Sequence, residues 1–254
     1  DANNDTWPDI YVSNDYLSRD LLYINTKDGS FSEEASTYFG HTSHFSMGND
    51  VADINNDGLM DVITLDMLPE QHKRRKLMSG SHSYDMFQMA KKFGYGHQYM
   101  RNMVHYNNGN GTFSEIGQLL GIDRTDWSWA PLITDFNNDG NNDIFITNGY
   151  GKDITDLDFV KFRQSGAKTF SDPEEIRRSV LDCLVVRPTI EMSNYIFENK
   201  GQLNFQKKAN DWGLNQKSIS NGACYADLDL DGDLELVVNN IDQPAFIYKN
   251  NTRE

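Results

Sequence analysis

Cysteine is nearly absent: the chain holds two in 254 residues, Cys183 and Cys224. Two thiols cannot make a disulfide framework and their separation fits no metal or redox motif, so both are expected as small buried side chains. Basic residues are also in short supply. Lys and Arg total 23 against 38 acids, a formal charge of −15, which argues against nucleic acid or an anionic membrane as partner. No apolar run approaches the roughly 20 residues of a membrane-spanning helix, so direct membrane insertion is not expected. The first residues lack a charged-then-apolar leader, and no G-x-S-x-G or similar nucleophile frame occurs. The length suffices for one sizeable core.

What the chain does have is acid at close, regular spacing. The stretch Asp53-Ile54-Asn55-Asn56-Asp57-Gly58-Leu59-Met60-Asp61 places oxygen-bearing side chains at alternating positions. Two carboxylates about 4 Å apart repel by roughly 4 kcal/mol at an effective dielectric near 20, and a cation between them is the simplest remedy. An all-oxygen ligand set selects a hard ion, and its size suits Ca²⁺ better than Mg²⁺. The EF-hand loop opens in the same way but needs a Glu at position 12 and flanking helices. Here position 12 is Thr64, the last acid stands at position 9, and the flanks are short β-branched runs. The loop is therefore expected to join two strands. Asp53, Asn55, Asp57 and Asp61 would give side-chain oxygens, Leu59 a backbone carbonyl and Gly58 the tight turn. One copy alone reads equally well as a polar turn that needs no metal.

The frame recurs. Asp135, Asn137, Asp139, Asn141 and Asp143 repeat it, as do Asp227, Asp229, Asp231, Asp233 and Glu235, each before an apolar run. A fourth copy opens the chain with Asp1, Asn3, Asp5, Trp7 and Asp9, so up to four Ca²⁺ sites are expected. Two copies depart from the pattern: Thr6 replaces the glycine, and Glu235 lengthens the last arm. A second element repeats in phase. Tyr23-Ile24-Asn25, His105-Tyr106-Asn107 and Phe197-Glu198-Asn199 each precede a Gly-containing turn, which signals a tight hairpin. Two hairpins per unit, repeated along the chain, predict an all-β protein, a β-propeller of four-stranded antiparallel blades.

On these residues the chain resembles the FG-GAP or VCBS repeat family, whose propellers include integrin α-subunit heads and bacterial cell-surface proteins. Phe45-Ser46-Met47-Gly48 stands where that family's Phe-Gly segment leads into the next inner strand, and Asn148 to Asp156 looks like a loop of bacterial members. The resemblance implies an integrin α-like propeller, here an incomplete segment with short helical insertions. Residues 1–45 would be a blade lacking its first strand and 46–127 a blade with an insertion at 67–103. Residues 128–219 would be a blade with a helical insertion at 150–193, and 220–254 a blade lacking its last strand. Such propellers usually have seven blades, so the remainder of a parent propeller is an expected partner. The implied location is extracellular or cell-surface, in a bacterium the outer membrane or periplasm.

Hairpin geometry puts both insertions on the face opposite the acidic loops. A helix is expected from near Ser83, with Met86, Ala90 and Phe93 on one stripe. Two more should start at Thr155-Asp156-Leu157-Asp158 and Ser171-Asp172-Pro173-Glu174, and the Ile176, Val180, Leu184 stripe should pack on the blades. The basic run His72 to Lys76 reads as a solvated loop, and His41 and His44 as polar loop residues. Trp127, Trp129 and Trp212 are candidate ligand-binding aromatics, with packing between blades as the ordinary alternative.

Three functions are compatible with these features. One is a calcium-stabilised adhesion module that binds a protein or glycan through the insertion face. The second is part of a secreted polysaccharide-degrading enzyme, although the clustered acids are committed to loops and the spare group Asp153, Asp156, Asp158 suits a helix start. The third is a structural spacer of a surface protein.

Overall fold

The computed structural model describes residues 1–78, 84–169, 172–187 and 189–252. The short alternating runs form strands β1 (Ile10–Val12), β2 (Leu21–Asn25) and β3 (Phe31–Glu33), hydrogen-bonded in that order. Helix α1 (Ala35–Tyr38) and β4 (Thr42–Ser43) lead to a second sheet. It begins with β5 (Asn49–Ala52) and β6 (Asp61–Thr64). A long connection then carries α2 (His72–Leu77), α3 (Tyr84–Lys92) and β7 (Gln98–Tyr99), which pairs in parallel with β4. Strands β8 (Met103–Asn107) and β9 (Phe113–Glu115) complete the order β5-β6-β8-β9.

The third sheet follows α4 (Gly117–Leu120) and repeats the plan with β10 (Ser128–Thr134) and β11 (Asp143–Asn148). Its insertion holds α5 (Leu157–Thr169), α6 (Pro173–Val186) and β12 (Met192–Ser193) before β13 (Tyr195–Asn199) and β14 (Phe205–Lys207). Strand β15 (Lys217–Ser218) pairs with β12 and precedes a fourth sheet of β16 (Ser220–Ala226), β17 (Glu235–Asn240) and β18 (Phe246–Tyr248). The four main sheets are antiparallel throughout, so the protein is all-β with a few helices.

Core clusters lie between successive sheets. Leu22, Phe39, Val62 and Phe113 fill the first interface, Ile63, Val104, Ile133 and Ile144 the second, and Phe145, Ile196, Leu236 and Val238 the third. Strands β6 and β11 are buried on both faces, which explains their unbroken apolar runs. Inner strands approach closely: a Cβ on Gly48 would collide with the Trp129 carbonyl, so the glycine is required there.

Several expectations are corrected. Cys224 is exposed and Cys183 half-buried. Cys224 pairs with Val237, and Val237 with Ile247, on the face of the fourth sheet turned away from the third, where Ile247 is 68% exposed. The basic run is a helix, not a loop, and Arg74 leaves the solvent. Its guanidinium donates to Asp126 at 2.9 Å and Asp153 at 3.0 Å, tying the two insertions together. The cap of α5 sits one residue later than a capping box on Thr155 implies, whereas α6 starts within its motif with Pro173 in the first turn. Asp156 accepts from the Asp158 and Phe159 amides, and Asp172 from that of Glu174. The expected starts at Ser83 and Ser171 lie outside the described residues. Ile176, Val180 and Leu184 are only half-buried because α6 packs against α5 rather than a sheet. On the α3 stripe Met86 and Phe93 are largely exposed. His41 and His44 do lie outside the helices and strands, His41 3.5 Å from the Glu115 carboxylate and the His44 ring packed on Phe45. No described helix is long and apolar enough to cross a membrane.

Candidate metal centre

Each acidic nonapeptide joins the first two strands of a repeat or, in the first copy, leads into β1. All four adopt one backbone. The fourth position is left-handed in every copy (Asn4 φ 59°, Asn56 62°, Asn138 57°, Leu230 62°), and so is the sixth. Glycine fills that sixth position three times (Gly58 87°, Gly140 87°, Gly232 91°), whereas Thr6 takes φ 72°. This conformation suits glycine and strains a β-branched residue.

The curl turns backbone N–H groups onto the acids. In the second loop Asp53 accepts from the Asp57 amide at 3.1 Å and the Gly58 amide at 2.7 Å, and Asp57 accepts from Leu59 at 2.9 Å. The same bonds recur on Asp1 and Asp5, on Asp135 and Asp139, and on Asp227 and Asp231. The ninth-position acid works differently. Asp61 is fully buried and accepts from Ile54 N–H at 3.0 Å and from Asn107 N–H, at the end of the third strand, at 2.7 Å. Asp9, Asp143 and Glu235 make equivalent pairs with Ala2 and Asn25, Phe136 and Asn199, and Leu228 and Asn250.

Electrostatics sets these acids apart. Burial, opposed by the two amide donors and reinforced by Asp57 and Asp53, pushes the Asp61 carboxyl up to about 6. Burial, with Asp139 and Asp135 nearby, pushes Asp143 up to about 7. Asp57 loses some solvation, yet hydrogen bonds from Asn55, Leu59 and Tyr106 hold it below the usual carboxylate range. Negative charge is thus concentrated around a buried acid that resists ionising alone.

Two observations bear on whether a cation fits. Asp227, Asp229 and Glu235 each bring one carboxylate oxygen within 4.8 Å of the others. In the second loop the amide oxygen of Asn55 is buried and accepts no hydrogen bond among the described residues. The donor set is hard oxygen in both places, as Ca²⁺ requires. The first three loops have Asn at the third position, and among the described residues no carboxylate triad there converges as closely as in the fourth. The seventh position is Trp7, Leu59, Asn141 and Asp233 in the four loops, each with its amide bound to the fifth-position acid, and Asp233 is fully buried and accepts from Asn138 of the neighbouring loop. Lys27 lies 3.1 Å from Asp5 and Lys249 3.5 Å from Asp229, so cationic side chains stand beside the first and fourth loops.

One functional element is invisible in the acidic motif. The asparagine that closes each third strand also ties its loop to the preceding one. Asn107 Nδ2 donates to the Ala2 carbonyl at 3.1 Å, Asn199 Nδ2 to Ile54 at 2.8 Å and Asn250 Nδ2 to Phe136 at 2.7 Å. On the opposite face Asp20, Asn102 and Asn194 accept from the amides of Asn14, Asp66 and Asn148 at 2.8–2.9 Å, closing the turn from second to third strand. The recurring five-residue interval from Asp20 to Asn25, Asn102 to Asn107 and Asn194 to Asn199 is the signal that could have revealed both.

The candidate tryptophans divide. Trp127 and Trp129 stack at 6.1 Å, Trp127 lies 4.2 Å from the Tyr150 ring, and Trp129 Nε1 donates to the Gly149 carbonyl at 2.8 Å. They brace the base of the second insertion. Trp212 instead packs against the cluster between the third and fourth sheets.

A family model for FG-GAP-like repeats matches residues 1–64 and 94–146, which include the first three acidic loops. Those residues are FG-GAP-like repeats. No curated protein matches the chain.

Proposed function

We propose that this chain, which carries FG-GAP-like repeats, is part of a calcium-stabilised extracellular β-propeller that binds a protein or glycan. The carrying observation is the convergence of Asp227, Asp229 and Glu235 within 4.8 Å in a loop whose backbone recurs in three others. When bound, Ca²⁺ would neutralise the paired carboxylates and relieve the repulsion that adds to burial in raising Asp61 and Asp143. Asp1, Asn3, Asp5 and Asp9 would hold one ion, and the matching positions of the other loops the rest.

The ions brace one face and leave the other to ligand recognition. Both long insertions rise from that second face and are bound to each other through Arg74. A binding role rather than catalysis is favoured because two of the three spare acids are occupied: Asp153 pairs with Arg74, and Asp156 with Arg187 at 2.5 Å. Calcium abundance outside the cell matches loops of this kind, whose Kd is typically about 0.1–1 mM.

Calorimetric titration with Ca²⁺, combined with thermal melts, tests the reading. At 10 mM Ca²⁺ a site of Kd ~0.1 mM adds about 2.7 kcal/mol to stability. A melting curve indifferent to calcium and to chelator would remove the basis of the proposal. A glycan array and incubation with a polysaccharide panel separate binding from turnover.

A further inference from the structure

On the insertion face, the turn from β1 to β2, the segment after β4 and one side of α3 enclose a cavity of about 50 Å³. Leu17, Phe45, Met86, Phe87 and Ala90 give it apolar walls, and Gln98 of β7 lines it as its one side-chain amide. Gln98 is 3% exposed, yet neither its Oε1 nor its Nε2 has a hydrogen-bond partner among the described residues. An amide buried in apolar surroundings loses its water at a cost, and nothing described here offsets that cost. The pairing it lacks has to come from outside.

Tyr16 stands at the mouth of the cavity. It is 63% exposed and meets the Phe45 ring at 5.5 Å in a T-shaped contact. Its backbone is held at φ 75°, a left-handed conformation that costs a bulky residue free energy. Burial does not repay that strain at so exposed a side chain, which points to a role in contact with a ligand.

These features set three requirements. A water-sized group takes about 10–15 Å³ on this measure, so the cavity admits on the order of four heavy atoms. The occupant needs an acceptor for Nε2 beside a donor for Oε1, with an apolar tip for the remaining walls. Outside the cavity it needs a face that lies on Tyr16. A carboxylate fails the second requirement, since Oε1 would repel it. The amide side chain of a protein partner would leave its second N–H against an apolar wall.

We propose that this cavity binds the acetamido group of an N-acetylhexosamine in a glycan. The acetamido carbonyl accepts from Gln98 Nε2, the adjacent C3 hydroxyl donates to Oε1, the methyl group contacts Met86 and Phe87, and the pyranose face lies on Tyr16. The assignment rests on the reading of the insertion face as the recognition face and supplies its ligand class, but it needs no ion in the acidic loops.

Saturation-transfer NMR with chitotriose, the trimer of N-acetylglucosamine, against cellotriose, which carries hydroxyls in place of the acetamido groups, reads the contact directly. Transfer should be strongest at the acetyl methyl protons, and cellotriose should give none. Gln98→Leu loses both hydrogen bonds to the sugar and should bind chitotriose about tenfold more weakly or worse. It should nevertheless melt at or above the parent chain, because a buried unpaired amide has gone, whereas an amide with a structural role would lower the melt. Tyr16→Ala should weaken binding with little change in the melt. Absence of transfer from chitotriose, equal binding of cellotriose, unchanged affinity in Gln98→Leu, or preference for a peptide bearing acetylated lysine would each overturn the proposal. A glycan array that retains other sugars while chitotriose fails to bind would do so too and leave the binding role standing, and a melt indifferent to calcium bears on the loops alone.

Discussion

Replacing Asn199 by alanine isolates the contribution of the loop-to-loop ties. Its Nδ2 donates to the Ile54 carbonyl at 2.8 Å and the Asn142 carbonyl at 3.1 Å, and its Oδ1 accepts from the Gly201 amide at 3.0 Å. The side chain is 2% exposed, so water cannot replace these partners. Three bonds at roughly 1 kcal/mol each, with a buried carbonyl left unpaired, give a loss of about 3–4 kcal/mol. For a chain of this size that lowers Tm by about 10 °C. Asn25 is the internal control. It makes the same local bonds, to the Pro8 carbonyl at 3.2 Å and from the Lys27 amide at 2.9 Å, but has no earlier loop to reach among the described residues. Asn25→Ala should cost about 1 kcal/mol. Thermal melts of the two variants, in chelator and again in calcium, measure the difference. If both fell by the same amount, the inter-sheet bond would contribute nothing and the argument would fail.

Thr6→Gly relieves a β-branched residue at φ 72° and should stabilise by about 1 kcal/mol, after the entropy cost of glycine. A melt equal to or below that of the parent chain would show that the first loop carries no strain. The pH dependence without calcium follows from acids whose folded pKa lies above 3.8: Asp61 and Asp20 near 6, Asp143 near 7. Such groups bind protons on folding, so their stabilisation is complete below the unfolded pKa of about 4 and is lost as pH rises from there through about 6 to 7. Melting temperature in chelator should therefore fall over that window, and calcium should flatten the part due to Asp61 and Asp143 while leaving that due to Asp20. A rise in melting temperature over the same window would contradict this.

The local architecture was legible because it is written at short range. Period-two runs, Asn-Gly and Asp-Gly turns and the alternating acids each occupy a few consecutive residues, and the strands form where those runs stand. What escaped notice depends on partners far apart in the chain. The five basic residues from His72 to Lys76 look like any solvated run, and only the folded path shows that Arg74 turns inward to Asp126 and Asp153. Likewise Asn199 reads as a turn residue, yet its main bond reaches 145 residues back. Cys224 was misplaced because burial of a strand residue depends on whether another sheet covers that face, which composition cannot reveal. The α6 stripe misled for a related reason: an amphipathic pattern states that a face is covered without naming the covering element.

These long-range bonds also link the acidic loops to one another. Ile54 donates its N–H to Asp61 and accepts at its carbonyl from Asn199, whose own N–H is bound to Asp143. Phe136 repeats the relay between Asp143 and Asn250, whose N–H is bound to Glu235. Ala2 does so between Asp9 and Asn107, whose N–H is bound to Asp61. One residue in each of the first three loops thus stands between two ninth-position acids, and the series of bonds runs from Asp9 to Glu235. The loops are joined to one another by direct hydrogen bonds between backbone and asparagine side chains. The tie made by Asn199 therefore serves both the stability of the sheet stack and the placement of its second acidic loop against its third, which is why its loss should cost more than that of Asn25.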